Sequence, residues 1–142
     1  MSDRFFIDTN IFVYSLERTI SLKSKRAIQL IAQGIDTGKG VISYQVVQEF
    51  FSVAFRRFTP KMTFAEAEQY LAFTLQPLLR VQSSHALFIE ALALSSRHSL
   101  SWYDSLIVAS AIEADCSVLY SEDLQHGKSF ATLQIKNPFA GI

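Results

Sequence analysis

Short apolar runs alternate along this chain with longer stretches whose apolar residues recur at helical spacing. Phe5 to Ile7 reads as a buried strand, Val41-Ile42-Ser43 as a second, Leu78 to Gln82 as a third and Val118-Leu119-Tyr120 as a fourth. Leu133-Gln134-Ile135 is expected as a fifth, short edge strand. Between them the spacing predicts helices over Thr9 to Leu16, Ser21 to Ile35, Tyr44 to Phe58 and Thr63 to Leu75. Two more are expected, one capped by Ser84 and running to His98, the other from Trp102 to Ala114. In the second helix Ala27, Ile28, Leu30, Ile31 and Ile35 form the apolar stripe. Thr63 followed by Glu66 has the form of a capping box. Because the strands are continuously apolar and helices intervene, the expected architecture is α/β: a mostly parallel sheet of four to five strands with helices on both faces.

The 142 residues suit one domain, and 49% apolar content with 12 Phe supplies a sizeable core. No apolar run approaches the ~20 residues of a membrane span. Met1-Ser2-Asp3-Arg4 is too short and polar ahead of the first strand to form a signal peptide, and Cys116 stands alone. A cytoplasmic protein is the expectation, with Cys116 as a small buried apolar residue. Aromatics crowd two helices: Phe50, Phe51, Phe55, Phe58, Phe64, Tyr70 and Phe73. Most belong to the core, and the surplus predicts a self-associating surface, hence a homodimer.

Charge changes the picture through its distribution. Thirteen basic and thirteen acidic residues cancel. Four of the acids, however, sit at corresponding points of the predicted elements: Asp8 directly after strand one, Asp123 after strand four, Glu49 in the helix following strand two, and Asp104 in the first turn of the helix feeding strand four. Ligands of an open parallel sheet bind beyond the carboxyl ends of its strands. Clustered carboxylates repel and need neutralising, which hard divalent ions such as Mg²⁺ or Mn²⁺ do through oxygen ligands and retained water. With these four set aside, 13 acids less 4 leave 9 against 13 bases, a mildly basic surround suited to a polyanion. His85, His98 and His126 are scattered, so no zinc-type cluster competes.

Each acid also has a plainer role open to it. Asp8 reads equally as a helix cap, Asp104 as the acid of a capping box with Ser101, and Asp123 as a turn residue. Glu49 shares a flank with Gln45, Ser52 and Arg56, a pattern that favours a solvated side chain. Asp104 follows a helix rather than a strand, so its place beside Asp8 depends on the path of Ser99-Leu100-Ser101, which periodicity does not reveal.

Four blocks in order decide between these readings: Phe6-Ile7-Asp8-Thr9-Asn10-Ile11 with Tyr14; Ile42-Ser43 through Gln48-Glu49-Phe50; Tyr103-Asp104-Ser105-Leu106-Ile107-Val108-Ala109-Ser110-Ala111; and Leu119-Tyr120-Ser121-Glu122-Asp123-Leu124 with His126-Gly127. With them the chain resembles the PIN-domain family, and within it the toxin ribonucleases of VapBC-type toxin–antitoxin pairs. The resemblance implies a Rossmann-like PIN domain spanning residues 1–142 and Mg²⁺- or Mn²⁺-dependent endonucleolytic cleavage of RNA. It implies that Asp8 and Asp104 are the principal metal ligands, with Glu49 and Asp123 completing the catalytic pocket directly or through water. Thr9, Asn10 and Ser121 would orient carboxylates or water, and a cognate antitoxin protein is the implied partner. Glu122 is expected to be solvated, because the serine–x–acid pattern from Ser121 selects Asp123.

The alternatives are a catalytically weak metal-binding interaction module, or a PIN nuclease in RNA processing outside a toxin pair. A phosphorylated receiver is disfavoured because strand three ends Val81-Gln82-Ser83, and an Asp-x-Asp phosphatase because Asn10 fills the second acidic position. Arg56, Arg57 and Lys61 are candidate phosphate contacts or a solvated helix end. Trp102 is expected to pack in the core, with stacking on a base as the alternative.

Overall fold

The computed structural model describes residues 2–142. Its frame is a six-stranded sheet in the order β3-β2-β1-β4-β6-β5. The strands are β1 (Phe5–Ile7), β2 (Gly40–Ser43), β3 (Leu79–Val81), β4 (Val118–Tyr120), β5 (Ser129–Phe130) and β6 (Leu133–Lys136). All pairings are parallel except β5 with β6. The helices are α1 (Thr9–Ser15), α2 (Leu22–Thr37), α3 (Tyr44–Arg56), α4 (Phe64–Tyr70), α5 (His85–His98) and α6 (Trp102–Glu113). A π-helical turn over Leu71–Leu75 prolongs α4.

The expected α/β architecture is thus present, with one strand more than predicted. Leu133–Lys136 is not an edge strand. It lies between β4 and the two-residue β5, which takes the edge. The β5–β6 hairpin closes on Ala131, whose φ of 52° supplies the left-handed turn.

Burial on both faces explains the continuous apolar runs. Phe6, Ile7, Val41, Ile42 and Leu119 are fully buried, and so are Phe12, Phe50 and Val108 from the flanking helices. Helix α2 comes unusually close to β2 because two glycines meet: a Cβ on Gly40 would stand 2.6 Å from the Cα of Gly34. The capping box of Thr63 and Glu66 forms as expected, with Thr63 N donating to Glu66 Oε1 at 2.9 Å. Ile28, placed in the apolar stripe by spacing, is 44% exposed instead. Cys116 is buried, and burial pushes its thiol up to about 12, consistent with an inert packing role.

From β1 the chain moves outward to β2 and β3 on one side, while β4 and β6 lie on the other. Strand order therefore reverses between β1 and β4. The crevice beyond their carboxyl ends is where an open α/β sheet offers a ligand site. Asp8 and Ser121 are the first residues past these two strands.

Candidate active site

Asp8 ends β1 and caps α1 at once. Its Oδ1 accepts from the backbone N–H of Thr9 at 2.7 Å, and its Oδ2 accepts from the hydroxyl of Ser121 at 2.8 Å. Ser121 is fully buried, and its Oγ also accepts from the N–H groups of Asp123 (3.2 Å) and Leu124 (3.3 Å). One hydroxyl therefore ties the loop after β4 to the carboxylate after β1.

Two further acids are held by neighbours of Asp8. Thr9 donates its hydroxyl to Glu49 Oε1 at 3.0 Å, and Asn10 donates its amide to Asp123 Oδ2 at 2.9 Å. Asp104 enters from α6. The connection between α5 and α6 is only three residues, and Ser99 adopts φ 55°, turning the chain so that α6 opens at the site. Ser101 caps that helix by accepting from Asp104 N, leaving the Asp104 carboxylate free of the cap. Asp8, Thr9, Asn10, Gln45, Glu49, Tyr103, Asp104 and Asp123 all line one cleft of about 140 Å³. The four acids named from sequence are thus brought together.

Electrostatics follow from burial and crowding. Desolvation pushes Asp8 up from 3.8 to about 6, with Glu49 and Asp123 adding to the rise and the Thr9 and Ser121 hydrogen bonds opposing it. Asp123 is also raised, first by desolvation and then by the charges of Asp104 and Glu122. Neither ion pair among the described residues involves any of the four acids. Within the described residues, no three acid, histidine or cysteine side chains stand close enough to ligate one ion directly. The cleft is an uncompensated carboxylate cluster rather than a closed cage. At ~30 Å³ per water it has room for an ion with several waters.

Some residues behave differently from expectation. Glu122 is only partly solvated, being also paired: Lys23 meets its Oε2 at 2.6 Å and the Tyr14 hydroxyl donates to its Oε1 at 2.5 Å. Both partners come from the far side of the chain in sequence, and together they anchor the Ser121–Asp123 loop to α1 and α2. Trp102 is 38% exposed beside Phe88 and not in the core. The His126 ring accepts from Asn137 N at 2.9 Å, a loop-bracing role next to the turn at Gly127.

Gln45 was missed as a site residue. It is 3% exposed, donates to the carbonyl of Tyr103 at 3.2 Å, and leaves its Oε1 buried without a partner. Its position four residues before Glu49, hence on the same helical face, was the available signal.

The PIN domain family model matches residues 5–128, and the chain belongs to that family. FitAcB from Neisseria gonorrhoeae has a similar structure, with TM-score 0.65 and 17% identity over 95% of this chain and 98% of that one. VapC20 of Mycobacterium tuberculosis, described as a sarcin-ricin loop cleaving toxin, gives TM-score 0.61 and 20% identity, covering 84% and 89% of the two chains. FitAB bound to an IR36 DNA fragment gives 0.67 and 16%, covering 94% of each. At these identities the likeness is one of fold. Comparison with curated proteins returns no match.

Proposed function

We propose that this protein is a metal-dependent endoribonuclease whose site comprises Asp8, Glu49, Asp104 and Asp123, and that it acts as the toxin of a toxin–antitoxin pair. The observation that carries this reading is the shared cleft. Four carboxylates converge where strand order reverses, and neither ion pair among the described residues neutralises them. The donor set fits a hard divalent ion: oxygen only, with no histidine or cysteine in the lining. The lack of three adjacent direct ligands suits Mg²⁺ or Mn²⁺, which take one or two carboxylates and keep several waters.

When bound, such an ion would supply charge neutralisation and an activated water for phosphodiester hydrolysis. In this reading Asp8 and Asp104 would hold the ion, with Glu49 and Asp123 completing the pocket directly or through water. Ser121 and Thr9 fix the carboxylates of Asp8 and Glu49, so little reorganisation is needed at the moment of reaction. The raised Asp8 favours the protonated acid below about pH 6, so protons compete with the cation there.

The toxin assignment draws on the VapC20 fold likeness and on exposed apolar surface available to a partner. Phe64 and Phe73 are 78% and 76% exposed. A homodimer and a cognate antitoxin would each bury such residues. The reading also places the protein in the cytoplasm, where RNA is met; no described helix is long and apolar enough to cross a membrane. The test is cleavage of single-stranded RNA by the purified protein. EDTA should abolish it and Mg²⁺ or Mn²⁺ restore it; cleavage that persists in EDTA refutes the metal-dependent reading.

A further inference from the structure

Beside the acidic cleft lies a second one of about 400 Å³, lined by Gln45, Gln48, Glu49, Ser52, Val53, Arg56, Arg57 and Tyr103. The two clefts share Gln45, Glu49, Val53 and Tyr103, so they form one path from a carboxylate end to an arginine end. Neither Arg56 nor Arg57 joins an ion pair among the described residues. Arg56 donates Nε to the carbonyl of Ser52 at 3.0 Å and Nη2 to its hydroxyl at 2.8 Å. Those bonds hold the guanidinium along the last turn of α3 and leave most of its five donors free. Tyr103 stands at the junction, 65% exposed, its backbone carbonyl fixed by the Gln45 amide.

We propose that this second cleft binds the nucleotide adjoining the scissile phosphate of a single-stranded RNA. Tyr103 stacks on the base, and Arg56 and Arg57 hold the next phosphate. The chemistry is complementary along the path: a phosphate bridged to carboxylates needs a cation, whereas one beyond them is met directly by guanidinium groups. An exposed tyrosine supplies sequence-tolerant stacking, which single strands permit and duplexes do not. The cleft volume lies in the range of small-ligand sites, which the acidic cleft alone does not reach.

This inference rests on the nuclease reading for its substrate, but its test is separable. The probe is a fluorescein-labelled single-stranded RNA ten-mer of mixed sequence, bound to the full chain carrying Asp8→Asn in Mg²⁺. Replacing both Arg56 and Arg57 with Gln should weaken binding about ten-fold and flatten the salt dependence by roughly 1.4 in log–log slope, for two lost contacts to a single strand. Tyr103→Ala should weaken it about five-fold or more, and Tyr103→Phe should restore it. All three side chains are exposed, and circular dichroism of each variant is the control for folding. Binding that is absent in the parent, or equal in parent and variants, overturns the proposal. If binding falls as expected but the native chain never cleaves RNA, the cleft stands and the nuclease reading fails. If the native chain cleaves and kcat/KM is untouched by these substitutions, the nuclease reading stands and the cleft assignment fails.

Discussion

Asp8→Asn should stabilise the metal-free protein at neutral pH while removing its proposed activity. The native carboxyl is 9% exposed and its pKa rises from 3.8 to about 6. An acid raised on folding binds protons more readily in the folded state, so stability is greatest at low pH and is lost as pH climbs from 3.8 through about 6. The gap between the two values, at ~1.36 kcal/mol per pH unit, is about 3 kcal/mol by pH 7.5. The value of about 6 already contains the charged bonds from Thr9 and Ser121, so asparagine, which keeps the shape and the Thr9 N–H acceptor, gives up only a neutral bond from Ser121, about 1 kcal/mol. The net gain is about 1–2 kcal/mol, or roughly 3–7 °C in Tm for a chain of this size. Urea or thermal unfolding in EDTA at pH 7.5 and again at pH 4.5 reads it. The variant should lead at pH 7.5, and its advantage should vanish or reverse at pH 4.5, where native Asp8 is protonated when folded. Mg²⁺ should raise the Tm of the native protein and leave the variant nearly unmoved. A variant less stable than the native protein at pH 7.5 without metal, or a difference independent of pH, refutes the assignment of Asp8 as a buried charge with no cationic partner.

Asp104→Asn should reduce RNA cleavage by more than the ~10–100-fold typical of residues that only orient a ligand, with Tm nearly unchanged. Ser121→Ala should cost about 10–100-fold in activity. By removing a bond that lowers Asp8, it should also move the acid limb of the pH–rate profile upward. Gly40→Ala forces a Cβ to 2.6 Å from Gly34 Cα and 2.8 Å from Leu78 Cδ2, and should cost about 1–3 kcal/mol by urea unfolding. Sedimentation at micromolar concentration should find a dimer, and a monomer would refute self-association.

How far these features could be read from the chain depends on how local their causes are. Asp8 and Asp123 were legible because Asp8 directly follows a strand and Asp123 lies in the loop just after another, and the parallel topology sends both to the same sheet edge. Asp104 was legible only through family pattern. Its position turns on the left-handed backbone of Ser99, a residue with no sequence mark for that conformation. The pairing of Glu122 was not legible because Lys23 and Tyr14, its partners, lie about a hundred residues earlier and no periodicity links them. Gln45 looked like part of a polar flank; a buried amide and a solvated one share the same pattern until the cleft closes over it. The edge of the sheet was misplaced for a simpler reason: β5 is two residues long, below the length at which alternation carries a signal.

The central claim is that these carboxylates hold a divalent ion for RNA hydrolysis. Its most direct test compares cleavage of one single-stranded RNA by the native protein, Asp8→Asn and Asp104→Asn, side by side in Mn²⁺. The native protein should cut internally and both folded variants should lose cleavage. Equal cutting by all three proteins would contradict the claim.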